Sequence, residues 1–175
     1  MFNNMKKHKG LTLVGSIVAV AILGVSMGAF LNYQAFLVRA NIQKKYSTVG
    51  AFLASEGVEV ARGIRDSNYA EIRNGTEIDW NDGLTTGTYT FDANSINIEE
   101  GFTTIANCPT NCSLGVGAGG QYVLGGASVG ATIVRYVEIS HIADEIDVRS
   151  VVEVSDRGYQ AQYETTTTLY NTDRL

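Results

Sequence analysis

A stretch without charged residues, between Lys9 and Arg39, constrains this chain more than any other feature of its sequence. The residues just before it include three lysines, and residues 11–31 within it are almost all apolar or small. About 20 such residues in an α-helix cross the hydrocarbon core of a bilayer, and a basic flank before the span stays on the cytoplasmic side. The sequence therefore predicts one membrane-spanning helix, with the chain after Arg39 exported.

Two ordinary interpretations of such an N-terminus are a cleaved secretory signal and a signal anchor. The apolar run exceeds the roughly 7–15 residues of a usual signal-peptide core, and no small-residue cleavage motif with a clear end follows it. A cleaved secretory signal is therefore disfavoured. A signal-anchored extracellular binding protein that never polymerises is one alternative.

The boundary between the lysines and the apolar run reads Lys9-Gly10-Leu11-Thr12-Leu13-Val14 and resembles the leader boundary of the type IV pilin family. That family includes the pseudopilins of type II secretion and the competence pilins. The resemblance implies a leader at residues 1–10, with Lys6, Lys7 and Lys9 as its basic residues. It implies that a prepilin peptidase cuts after Gly10 and methylates the new N-terminus at Leu11.

The same resemblance implies partners and a location. A platform protein, an assembly ATPase and other pilins would join the prepilin peptidase as partners. The chain would be a single-pass protein of the cytoplasmic membrane before assembly. Afterwards it would form an extracellular helical filament, alone or mixed with other pilins.

The chain departs from the family at Gly15, the fifth residue after the predicted cut. The family usually has a glutamate there, which neutralises the N-terminal amine of a neighbouring subunit, and a buried charged amine is costly without a partner. In this family the absence of that carboxylate is typical of some minor components, notably at the filament tip. The function is therefore interpreted as a structural subunit of a type IV pilus or related filament. The alternative is a minor pilin or pseudopilin in initiation, secretion or DNA uptake.

The helix is predicted over residues 11–66, because no proline interrupts them. Its half at 11–38 would serve the membrane and assembly, and its half at 39–66 is amphipathic, with apolar residues recurring at spacings of three and four. Glu56 and Glu59 lie off that stripe and are interpreted as ordinary solvated charges. The stripe comprises Tyr46, Val49, Leu53, Gly57, Val60 and Ile64.

Residues 67–175 are predicted to form one globular extracytoplasmic domain, in which Ser67-Asn68-Tyr69 ends the helix. Period-two patterns rich in β-branched residues predict antiparallel strands, with Val137 and Ile139 facing the helix. The fold class is therefore α+β and type IV pilin-like, with a long N-terminal helix packed on a C-terminal antiparallel sheet. Within this domain we predict a variable loop at 67–87, followed by a sheet at 88–170. The sheet begins with short strands at 88–92 and 95–99 and ends with a meander of three strands at 133–142, 147–155 and 159–169.

Two cysteines occur, Cys108 and Cys112, and in an exported domain they predict a short disulfide that shapes a surface loop. A metal site is disfavoured, because no second cysteine or histidine pair completes four ligands. Asp79, Asn81 and Asp82 are interpreted as a solvated turn rather than a calcium site. No metal and no cofactor are predicted.

Charge and composition narrow the function classes further. Removing residues 1–10 takes away three of the 13 basic residues and leaves ten against 18 acidic ones, a formal net charge of −8. That balance shows no basic face, so no nucleic-acid partner is predicted. The chain is not expected to be an enzyme, because His141 lies in a strand pattern without a recognisable nucleophile partner.

Overall fold

The computed structural model describes residues 9–91, 102–104, 112–128, 130–142 and 144–171. Lys6, Lys7, Cys108 and the strand predicted at 95–99 lie outside these residues. The chain divides into two compact units, Met1–Lys44 and Lys45–Leu175.

The described residues form one helix and one sheet, an α+β layout in which a long N-terminal helix packs on an antiparallel sheet. The helix, α1, covers Lys9–Arg73. The strands are β1 (Gly87–Thr90), β2 (Thr103–Thr104), β3 (Ser113–Val116), β4 (Tyr122–Leu124), β5 (Thr132–Ile142), β6 (Glu145–Asp156) and β7 (Tyr159–Tyr170).

The part of α1 in the second unit packs on the sheet through the face that the periodicity predicts. Tyr46, Leu53 and Ile64 are buried, whereas Phe52 on the opposite side of the helix is 72% exposed. Apolar residues at spacings of three and four therefore meet the sheet along one stripe, as an amphipathic helix requires.

The predicted helix end at residue 66 is wrong, because α1 continues to Arg73 and the loop predicted at 67–87 starts later. The side-chain amide of Asn68 is buried and donates to the carbonyls of Trp80 and Asp82, at 3.1 and 2.8 Å. These contacts hold a turn-favouring residue inside the helix. The true end is a Schellman motif, in which Thr76 N–H donates to the Glu71 carbonyl.

The predicted meander is confirmed, with every pairing in the sheet antiparallel. β6 pairs with β5 over eleven residue pairs and with β7 over twelve, so each hairpin is joined by a tight turn. On its other side β5 pairs with β1 and with β3. Val137 and Ile139 are buried beneath the helix, as the alternation predicts.

The core between α1 and the sheet consists of two apolar clusters. One contains Ala54 and Ile133, and the other contains Val58 and Val137. Between the two clusters, on α1, β5 and β6, lie four residues that are polar or lack a side chain: Glu56, Gly57, Arg135 and Ser150. We call these four residues the polar layer.

Gly57 is the position in the polar layer where helix and sheet approach most closely. A Cβ added there would overlap the Ser150 hydroxyl and lie 2.9 Å from Ser150 Cβ and 3.0 Å from Val137 Cγ2. Real Cβ atoms do not come that close, so a side chain at position 57 would push the helix away from β6.

We predict that Gly57→Ala destabilises the protein by about 1–2 kcal/mol, because overpacking outweighs the gain of about 1 kcal/mol from a better helix former. The measurement is thermal unfolding of the detergent-solubilised full chain by circular dichroism. Gly57→Ala introduced together with Ser150→Ala should lose less, since the nearest atom is removed. A Gly57→Ala protein as stable as the wild type would contradict the close approach.

Candidate functional site

The first unit presents an apolar helix surface without protein cover. Described large hydrophobic residues from Leu13 to Val38 are exposed, including Val25 at 76% and Leu23 at 68%. A contiguous apolar surface of this size marks a membrane or protein contact in a folded chain. The helix is long and apolar enough to cross a membrane, by length and composition.

The residues at the predicted processing boundary lie at the start of α1, which includes Lys9, Gly10 and Leu11. Gly15 lies within the same helix and is exposed, and a Cβ added there meets no atom within 4 Å. The space around position 15 therefore accepts any side chain, the glutamate of the pilin family included.

Cys112 is disulfide-bonded, and its side chain is fully buried. Cys108 is the only other cysteine of the sequence and lies outside the described residues. The Cys112 carbonyl accepts the Arg135 backbone N–H at 3.1 Å, which joins Cys112 to β5. That the bond shapes a surface loop stays a prediction.

A buried ion pair joins the second half of α1 to the sheet. Arg135 is fully buried, and its Nη1 lies 2.5 Å from Oε2 of Glu56. Its Nη2 donates to the Phe91 carbonyl at 2.9 Å, and its Cζ lies 3.8 Å from the centroid of the Phe91 ring. The guanidinium thus has a carboxylate, a carbonyl and an aromatic face as partners, which a buried charge needs.

The interpretation of Glu56 as an ordinary solvated charge is wrong. Its side chain is 38% exposed, and its carboxylate faces the buried guanidinium. The signal that could have found this pair is the strand alternation. Arg135 lies at the inward parity of β5, between Ile133 and Val137, where a charge requires a partner on the helix.

Tyrosines cluster where α1 enters the second unit. The Tyr46 hydroxyl donates to Asp156 at 3.0 Å, and the Tyr46 ring stacks on Tyr159 at 6.2 Å between centroids. Burial raises the pKa of Tyr46, and the bond to Asp156 raises it further. Hydrogen bonding to Tyr163 raises the pKa of Tyr159. Through these contacts α1 is connected to Asp156 and Tyr159, the residues on either side of the β6–β7 turn.

The sheet carries a shallow cavity of about 660 Å³ and, outside the residues that line it, a cluster of charged side chains. Arg149 donates to Glu164 and Glu138, each at 2.7 Å, and these bonds raise the pKa of Arg149 above its usual range. Glu153 is the one ionisable group among the cavity's lining residues. Exposed ion pairs of this kind contribute little to stability.

Residues that suggested other chemistry have structural contacts. His141 Nε2 lies 2.5 Å from the Leu84 carbonyl, which can only accept, so that nitrogen carries a proton. In the turn at 79–82, the carbonyls of Trp80 and Asp82 accept bonds from Asn68. Within the described ranges, no group of three or more His, Cys, Asp or Glu side chains is placed to hold a metal ion.

Comparison of the chain with protein-family models, with curated proteins and with solved structures finds no match.

We predict that Glu56→Gln lowers the free energy of unfolding by about 2–3 kcal/mol. Loss of one partner leaves the Arg135 charge buried without its carboxylate, and the partial exposure of Glu56 moderates a cost of about 3–5 kcal/mol for a fully buried pair. The matched control is Glu59→Gln, which removes a solvent-exposed pair with Arg62. That change should cost less than about 1 kcal/mol.

Both variants would be compared by thermal unfolding of the detergent-solubilised full chain. The double variant Glu56→Gln with Arg135→Met should recover part of the loss, because an apolar side chain then fills the buried position. Equal losses for the Glu56 and Glu59 variants would contradict the importance of the buried pair.

Proposed function

We propose that this protein is a structural subunit of a type IV pilus or a related filament, with a type IV pilin-like fold. In this proposal it is processed after Gly10 and inserted in the cytoplasmic membrane through residues 11–38. It then polymerises outside the cell through the same helix, with the prepilin peptidase, a platform protein and an assembly ATPase as partners.

The observation that carries the proposal is the uncharged helix surface that follows a Lys-Gly boundary. Its side chains from Leu13 onward are exposed, so a single copy leaves this surface uncovered by protein. Lipid covers such a surface before assembly, and packed copies of the same helix cover it in a filament. Apolar contact stabilises either arrangement by roughly 25 cal/mol per Å² buried.

The second half of α1 supports the same function in a different way. It is held to the sheet by two apolar clusters and by the Arg135–Glu56 pair. A helix that carries a folded domain on one part and exposes an apolar surface on the other suits a filament with helices inside and domains outside.

Gly15 favours a second candidate, a minor pilin or pseudopilin. Without a carboxylate at this position, the N-terminal amine of a neighbouring copy has no counter-charge in an apolar interior, where an unpaired charge is costly. A subunit of this kind fits the tip of a filament better than its shaft.

We predict that the mature protein from cells starts at Leu11 and carries one methyl group on its N-terminal nitrogen. Intact-mass and N-terminal peptide mass spectrometry measure both features. The variant Gly10→Val should accumulate as the uncut precursor, because the leader that this boundary resembles ends in glycine. His8→Gln, a change of similar size in the same leader, should be processed normally.

Two results would contradict this assignment: a mature chain that retains Met1, or a cut within or after the apolar run. Retention of Met1 in a membrane-bound, folded protein would favour the signal-anchored extracellular binding protein instead.

We predict that Gly15→Glu increases incorporation into filaments several-fold if the chain is a minor subunit, because the new carboxylate meets the amine of a neighbour. The space around position 15 accepts the side chain. Quantitative mass spectrometry of purified filaments gives the ratio of this chain to other subunits, with Gly15→Gln as the uncharged control. A wild-type chain that already dominates the filament would establish a major subunit and contradict the minor role.

A further inference from the structure

The segment that follows the apolar run is positively charged and free of acidic residues. Arg39, Lys44 and Lys45 are its charged residues, and the first acidic residue after the leader is Glu56. This arrangement is unusual in a chain whose acidic residues outnumber its basic ones 18 to 13. Positive charge without acidic charge therefore extends from the end of the apolar run to Lys45, the first residue of the second unit.

An arginine adds to this charge from the β6–β7 turn, in a backbone conformation that disfavours it. Asp156 and Tyr159 form the last residue pair of the hairpin, so Arg157 and Gly158 make a two-residue turn. Both have positive φ, 40° and 91°. Asn or Asp is the usual residue at the first of these positions, and an arginine held there at positive φ carries a strain cost. The Arg157 side chain is exposed.

Lys45 and Arg157 lie at the same end of the second unit. Their sequence neighbours are in direct contact, since the Tyr46 hydroxyl donates to Asp156 at 3.0 Å. Lys45 and Arg157 are exposed, whereas the carboxylate of Asp156 is half-buried and accepts the hydrogen bond from Tyr46. This end therefore presents two basic side chains beside stacked tyrosines.

Few residues separate Lys45 from the apolar run. Lys45 follows Val38 by seven positions, which is about 10 Å of helix and about 25 Å even if fully extended. Basic and tyrosine side chains are the residue types that contact the headgroup layer of a bilayer. A span ending near Val38 places Lys45 within reach of that layer.

We propose that the exposed surface formed by Lys45 and Arg157 binds anionic phospholipid headgroups on the outer side of the membrane that residues 11–38 span. This inference rests on the membrane insertion in the proposed function. The bound headgroups fix the second unit against the membrane before assembly. When neighbouring subunits replace the lipid during assembly, the second unit is released from the membrane.

The test uses the full chain in nanodiscs of phosphatidylcholine alone or with 30% phosphatidylglycerol added. Millisecond hydrogen exchange is measured on the peptide that contains the β6–β7 turn. We expect exchange about 25-fold slower in the anionic discs, because each of the two cations contributes about fivefold, and each single variant should remove about fivefold of that protection. Salt at 0.5 M should reverse the slowing, because it screens the exposed charges.

The decisive variants are Lys45→Gln and Arg157→Asn, separately and together. Asparagine suits the positive φ at position 157, so this variant keeps the turn while it removes the charge. Arg73→Gln is the matched control, because Arg73 is an exposed cation at the other end of α1. The inference holds if the double variant exchanges equally in both discs while Arg73→Gln behaves as wild type.

Three outcomes would overturn the inference: equal exchange of the wild type in both kinds of disc, equal effects of the Arg73 and Arg157 variants, and protection that salt leaves unchanged. Co-elution of the protein with the discs separates this failure from failure of the proposed function. A protein that does not enter neutral or anionic discs contradicts membrane insertion itself. One that enters both, without dependence on lipid charge, contradicts only the headgroup surface.

Discussion

A charge buried between a helix and a sheet is the constraint on which the second unit depends. Arg135 is fully buried in β5, and its partners are Glu56 on α1 and Phe91 just after β1. Such a charge tolerates burial only when its donors have acceptors, so these elements must come together in one arrangement. The apolar clusters on either side supply the driving force for packing, and the polar layer determines its register.

The exposed half of α1 obeys a different constraint, because its described apolar side chains are largely exposed. In the proposed function this half meets lipid or other helices and requires an uncharged surface of sufficient length. One helix thus combines a part that matches a particular sheet with a part that, in this proposal, matches an apolar environment. The first acidic residue of the chain, Glu56, lies in the part that meets the sheet.

Local patterns predicted the elements, and long-range contacts explain what they missed. Period-two alternation identified the meander and the inward positions Val137 and Ile139, because one face of each strand is buried. The end of the helix was missed because Asn68 is a turn former until the carbonyls of Trp80 and Asp82 accept its amide. The Glu56–Arg135 pair joins residues 79 positions apart, so the alternation along β5 indicates that Arg135 needs a partner but does not identify Glu56 as that partner. Membership of the pilin family is predicted from a few residues at the boundary between the lysines and the apolar run, and it stays a prediction.

The close approach at Gly57 has a consequence for the length of the chain. Gly50 lies seven residues earlier, against the ring of Tyr163, and Asn68 lies eleven residues later. Inserting or deleting one residue between Gly50 and Asn68 would rotate the helix after the change by about 100° relative to the helix before it. At least one of the contacts at Gly50, Gly57 and Asn68 would then be lost. The contacts at Gly50, Gly57 and Asn68 therefore fix the number of residues between positions 50 and 68, even at exposed positions where the residue type can change.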